Sequence, residues 1–154
     1  MNELLKKLNY KGRTRMLVLQ APEEFGPFLD AFREAGEVCA SLDEAGEEPY
    51  GLVLVFCKSG AEVEALAPEA ARRCAPDQLL WFAYPKKTSK KYKADITRDT
   101  GWQPLGRLGF EGVRQIAIDE DWSALRFREA RYVKTMTRSG KLALSEEGRQ
   151  RVQE

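Results

Sequence analysis

Two uninterrupted apolar runs constrain this chain more than any other feature. Leu52–Phe56 and Leu79–Tyr84 contain no charged residue and no alternation of polar with apolar positions. A strand with one solvated face alternates, whereas a strand covered on both faces does not. Between them lies a helical stripe of Val63, Leu66, Ala67, Ala70 and Cys74. It is preceded by Ser59-Gly60-Ala61-Glu62, where serine and glutamate can satisfy free amides reciprocally. Strand, helix and strand in this order predict a parallel crossover inside an α/β sheet. Pro68 is expected to kink or split the helix, because it removes a donor and crowds the preceding turn.

The rest of the chain extends the pattern. Asn2 can cap a short helix carrying Leu4, Leu5 and Leu8 on one side. Met16–Leu19 reads as another strand buried on both faces. A helix entered at Gly26-Pro27 follows, with Phe25, Phe28, Leu29 and Phe32 at helical spacing and Gly36 as its stop. These phenylalanines read as a packing stripe. Val38–Leu42 is a weaker strand, followed by an acidic turn from Asp43 to Pro49. Beyond Tyr84, Asp95 is expected to cap a helix holding Ile96, Trp102 and Leu105. Gly112–Ile118 is the next strand, and Asp119-Glu120-Asp121 turns the chain tightly. In Trp122–Arg128, Leu125 and Phe127 alternate with Arg126 and Arg128, so one face is partly solvated, and the short turn before it implies antiparallel pairing. The prediction is one α/β domain over residues 1–130, a three-layer sandwich with a mostly parallel sheet and a C-terminal antiparallel hairpin. Residues 131–154 read as a polar tail, with a short helix starting near Ser145.

Charge is unevenly spread. Residues 1–84 hold 9 Lys/Arg against 14 Asp/Glu, and residues 85–154 hold 16 against 10. Pro85 ends the second long apolar run, and five lysines fall in the next eight residues: Lys86, Lys87, Lys90, Lys91 and Lys93. A chain leaving a buried parallel strand places such a loop at the carboxyl edge of the sheet, where open α/β folds bind ligands. Lysines neutralise phosphates without reading sequence, Thr88 and Ser89 can add hydrogen bonds, and Tyr92 can stack on a base. The candidate anion-binding set is therefore Lys86, Lys87, Thr88, Ser89, Lys90, Lys91 and Lys93. The same loop also reads as a solvated segment whose charge aids solubility. Its partners would be a phosphate-bearing ligand, nucleic acid or an acidic protein.

Other chemistry is narrowed by what the chain lacks. There is no histidine, so the commonest general base and metal ligand are missing. Cys39, Cys57 and Cys74 are far apart, with no C-x-x-C pair, and read as reduced thiols of a cytoplasmic protein. The N-terminus lacks the apolar core of a signal peptide, and no run is long enough to span a membrane. Asp119, Glu120 and Asp121 could bind a cation or supply a base, but Asp-rich turns form for local hydrogen-bonding reasons. Trp122 reads as core. No metal, cofactor or catalytic residue is expected, and no oligomeric state is specified.

The alternation of strands and helices closing in a hairpin resembles the class I methyltransferase variant of the Rossmann fold, with Tyr50–Phe56 and Ala75–Trp81 resembling its fourth and fifth strands, and this resemblance implies the strand order 2-1-3-4-6-5. Lys7-Leu8 with Gly12, Met16–Glu24, Trp81 with Tyr84–Lys87, Ala94-Asp95-Ile96 and Asp121–Leu125 resemble a bacterial family, domain of unknown function 3052. That family implies a fold and no catalytic residue. The methyltransferase resemblance implies S-adenosylmethionine bound at a glycine-rich turn after the first strand, with an acidic residue for its ribose at Asp43 or Glu44. Here that turn is Gln20–Gly26, with one late glycine, a proline and two carboxylates. The expectation is a non-catalytic binding or regulatory domain using the lysine loop. The alternatives are an S-adenosylmethionine-dependent methyltransferase with a degraded glycine loop, and a protein-interaction scaffold in which the basic tail docks on a partner.

Overall fold

A computed structural model describes residues 2–12 and 14–133. The expected short helix near Ser145 and nearly all of the tail lie outside them. Six strands form one sheet: β1 (Met16–Leu19), β2 (Val38–Cys39), β3 (Tyr50–Phe56), β4 (Cys74–Pro85), β5 (Phe110–Ala117) and β6 (Trp122–Glu129). Their order across the sheet is β2-β1-β3-β4-β6-β5. The β2-β1-β3-β4 part is parallel, and β6 runs antiparallel between β4 and β5. The predicted order and hairpin are therefore those of the protein.

The apolar runs are buried throughout, as two-sided coverage requires. Every residue of β1 and β3 is buried, as are the last seven of β4. Alternate residues supply two cores. On one face, α1 (Glu3–Lys7), α2 (Gly26–Ala35) and the 3-10 turn that leads into α2 bring Leu4, Leu5, Phe32 and Phe25 against Val18, Leu54, Trp81 and Trp122. On the other, α3 (Gly60–Arg73) and α4 (Gln103–Arg107) bring Val63, Ala67, Ala70 and Leu105 against Val53, Val55, Phe82 and Phe127. The Trp81 indole donates to the Leu8 carbonyl at 3.1 Å, tying the end of α1 to the sheet.

The helix caps follow the sequence closely. Asn2 Oδ1 accepts from the amides of Leu4 and Leu5, and Ser59 Oγ accepts from that of Glu62. The Glu62 carboxylate reaches back to the amide of Lys58 instead of Ser59.

Four expectations are corrected. Helix α3 is continuous through Pro68. Pro68 is exposed, so water can satisfy the carbonyl freed one turn earlier. β2 has two residues, shorter than Val38–Leu42. β4 starts at Cys74, directly after α3; Asp77 at φ 54° and a register shift opposite Tyr50 and Leu52 let the chain turn inside the strand. The helix expected from Asp95 is reduced to α4, and Asp95 instead accepts from the Gly60 amide at 2.7 Å. Asp95 thus caps α3, a helix 35 positions earlier.

Candidate functional site

The chain leaves β1 at Gln20, whose φ of 58° is the left-handed conformation that glycine adopts most readily. Its side-chain amide donates to the Phe56 carbonyl at 3.0 Å and to Glu62 Oε2 at 2.9 Å. One side chain therefore links the carboxyl ends of β1 and β3 to the first turn of α3. Above this link lies a cleft of about 420 Å³, lined among others by Pro22, Glu24, Lys58, Glu62, Tyr92 and Trp122. A second hollow of about 260 Å³ adjoins it past Gln20, lined by Ser41, Leu42, Asp43 and Leu66. Of the two acidic candidates after β2, Asp43 lines a hollow.

Tyr92 and Lys91 close one side of the cleft. The Tyr92 hydroxyl donates to the Glu24 carboxylate, 2.7 Å from Oε1, and Lys91 Nζ lies 3.1 Å from Glu24 Oε2. The Tyr92 ring lies 5.0 Å from that of Trp122, which meets Phe56 edge-on at 5.0 Å. Lys58 Nζ lies 5.7 Å from the Tyr92 ring centre, within cation–π range. Burial pushes the Glu24 carboxyl up, but the Tyr92 hydroxyl, its own backbone and Lys91 together outweigh this and hold it below the usual carboxylate range. Glu24 in turn raises both Lys91 and Tyr92.

This latch has a defined pH window. A carboxyl whose folded pKa is depressed stabilises the fold above its unfolded value, about 4.3, and loses that contribution as pH falls through the folded value. Lys91, raised, contributes below its unfolded value of about 10.4 and loses it as pH rises through the folded value. Glu24→Gln is therefore expected to lower the melting temperature at pH 7. The gap to the unsubstituted protein should close as both are titrated into acid, as followed by thermal melts from pH 3 to 7. A gap that stays constant across that range would remove Glu24 as the titrating partner.

One donor in the cleft wall is unmatched. Trp122 is 2% exposed, and its indole nitrogen is buried without a hydrogen-bond partner. Buried donors are nearly always satisfied, and this nitrogen is an exception, closed off from solvent beside the cleft.

The seven sequence-predicted site residues separate. Lys91 reaches the cleft and is paired. Ser89 Oγ donates to Asp121 Oδ1 at 2.7 Å and accepts from the Tyr92 amide at 3.0 Å, so its hydroxyl organises the loop. Lys86 holds the loop by its backbone, donating to the Asp121 carbonyl at 2.8 Å. Lys87, Thr88, Lys90 and Lys93 are exposed on the loop's outer side. The acidic turn is used locally: Asp119 Oδ1 accepts from the amides of Asp121 and Trp122, each at 2.8 Å. Among the described residues, no three or more Asp, Glu or Cys side chains are grouped to hold a metal ion, and no helix is long and apolar enough to cross a membrane. Gln20, Glu24 and the free Trp122 donor were not anticipated as a set. The sequence hint is that Gln20 directly follows one apolar run and Trp122 directly follows the acidic turn.

No family model and no curated protein matches the chain, so the resemblance to domain of unknown function 3052 has no family match behind it. Solved structures do match. The N-methyltransferase NodS from Bradyrhizobium japonicum aligns over 82% of this chain and 92% of its own, with TM-score 0.51 and 13% identity. The tRNA methyltransferase TrmK of B. subtilis aligns over 94% and 74%, with TM-score 0.51 and 10% identity. At such identities the likeness concerns the backbone. The chain has the Rossmann-like fold of class I methyltransferases.

Proposed function

We propose that this protein is an S-adenosylmethionine-dependent methyltransferase, with the cofactor in the cleft beyond β1 and β3. The observation that carries this is the cleft's location. It opens where the order β2-β1-β3 reverses the direction of chain progress, which is where open α/β sheets hold their ligands. Its volume of about 420 Å³ lies within the range of small-molecule sites. Gln20 supplies the left-handed backbone turn that glycine serves in the fold family. The cofactor's sulfonium and ammonium would face the carboxylates of Glu23, Glu24 and Glu62, the last two already bonded to Tyr92 and Gln20, and Lys58 would hold its carboxylate. Asp43, in the adjoining hollow, is the candidate for a ribose. Transfer of the methyl group to a nucleophile leaves a neutral thioether, so the protein's task is orientation and exclusion of water. The exposed lysines Lys87, Lys90 and Lys93, with Thr88 and the half-buried Lys86, form a rim suited to a phosphate-bearing acceptor.

A binding or regulatory role without transfer is the second reading. It is favoured by Pro22, which lacks the amide that a phosphate- or carboxylate-binding loop uses, and by the Tyr92–Glu24 bond across the cleft. Calorimetric titration with S-adenosylmethionine and S-adenosylhomocysteine tests the cofactor site. Lys58→Ala removes the cation proposed for the cofactor's carboxylate, and because Lys58 is exposed the free protein should melt at about the same temperature. Affinity should fall about 3- to 10-fold, the worth of one hydrogen bond. No heat at millimolar ligand defeats the cofactor site. Binding without transfer of labelled methyl groups to nucleic acid or protein acceptors favours the regulatory reading.

A further inference from the structure

The opposite end of the sheet carries a second polar hollow, of about 160 Å³, at the amino ends of β1, β3 and β4. Its lining includes Asn9, Lys11, Gly12, Thr14, Gln78 and Arg126. Two segments meet there with left-handed residues, Asn9 (φ 68°) and Gly12 (φ 88°) between α1 and β1, and Asp77 (φ 54°) in β4. None of these residues belongs to the cleft beyond β1 and β3.

Arg126 is the unusual member. It sits on β6 opposite Trp81 of β4 and Arg114 of β5. Its Nε is buried and has no hydrogen-bond partner. The carboxylate that would be expected to serve it, Asp77, is held by Arg128 through two bonds of 2.8 Å each. Burial and the charge of Arg128 both disfavour the Arg126 cation, and Asp77 offsets them only in part. A guanidinium does not lose its proton under such pressure. It needs an anion, and its planar fork suits an oxyanion that can accept two parallel bonds. Lys11 adds a second cation at the exposed side of the hollow, while Asn9 and Thr14 can donate hydrogen bonds. An apolar or cationic occupant would leave Arg126 as it stands, so the chemistry selects an anion.

We propose that this hollow is a binding site for a small oxyanion of the phosphate class, held by Arg126 with Lys11. The site stands apart from the cofactor reading, and its failure would leave that reading untouched.

The test uses the full chain and inorganic phosphate as the probe, at constant ionic strength made up with chloride. Melting temperature is followed against phosphate concentration. Phosphate also stabilises proteins by exclusion from their surface, without saturation, and that background is common to every variant. The expected result is a saturable rise above that background, abolished in Arg126→Met and kept when Lys86, Lys87, Lys90 and Lys93 are all replaced by alanine. Lys11→Ala should raise the half-saturating concentration about two- to fivefold, the worth of one exposed charge pair. Because Lys11 is exposed, that variant carries the test if Arg126→Met does not fold. A saturable rise unchanged in both variants overturns the proposal, as does one that follows the loop lysines. An equal rise with acetate overturns the phosphate class.

Discussion

Trp102→Ala is expected to destabilise the protein by about 3–5 kcal/mol, the usual cost of removing a large buried aromatic ring. Trp102 is 1% exposed and lies 6.0, 5.6 and 5.2 Å from the rings of Phe82, Tyr84 and Phe127. Its indole donates to the Thr97 carbonyl at 2.7 Å. Between the end of β4 and α4 the backbone has only turns and bends. This stretch carries the lysines and Tyr92, and its far end is held down by Trp102 and Ile96. A domain's whole margin is about 5–15 kcal/mol, so the substitution removes a large share of it. For a chain of this size the melting temperature should drop by about 6–20 °C. Trp102→Phe should lose less, keeping most of the ring contacts and leaving the Thr97 carbonyl unmatched. Urea and thermal melts measure both. A loss below about 1 kcal/mol for Trp102→Ala, outside the range for a buried ring, would mean that the ring does not anchor the segment.

Gly101→Ala should be nearly as damaging, at about 2–5 kcal/mol, because two costs add. Gly101 has φ 99°, where a side chain is strained in any surroundings. A Cβ there would also sit 2.1 Å from Ile96 Cγ2 and 2.9 Å from Ile96 Cβ. Ile96 is 2% exposed, and displacing it overpacks the core. Combining Gly101→Ala with Ile96→Ala should recover part of the loss, since the closest atom is gone while the 2.9 Å contact and the backbone strain remain. Strict additivity of the two substitutions would show that the alanine does not press on Ile96. In both variants, hydrogen exchange should rise first in residues 86–101, which separates loss of the loop's anchor from general unfolding.

How much of this molecule could be read from its residues depended on whether a signal was local. The runs in β1, β3 and β4 have nothing polar to place toward water, so they had to be central strands. The alternation in β6 placed one face of the last hairpin near solvent. Asn2 and Ser59 act within their own first turns, and both caps formed. Asp95 looked like a cap for the segment after it, and Gly101 and Pro104 leave that segment too little regular backbone for a long helix. Its carboxylate was taken by Gly60, across the fold. Pro68 looked like a breaker because its own chemistry is one; its exposure, a tertiary fact, made the missing bond tolerable.

The same division runs through the candidate sites. The lysine loop was visible as composition, and so was its position at the carboxyl edge of the sheet. That Ser89 serves Asp121, that Lys91 pairs with Glu24 and that Tyr92 reaches over to Glu24 were not. The Tyr92–Glu24 bond spans 68 positions and the Gln20–Glu62 bond spans 42. Nor does anything near Arg126 in the chain indicate that its expected partner is occupied by Arg128.

By itself the sequence determined the sheet: which segments are strands, their order, and which end carries the positive loop. The strands follow from apolar patterning, which each segment bears independently of the others, and their order from the resemblance to the methyltransferase sheet. Only the tertiary structure decided which polar groups meet, which are already spent on one another, and which are left over at Trp122 and Arg126. Hydrogen-bond and ion-pair partners are chosen by proximity in the folded state, and residues far apart in the chain carry no mark of it.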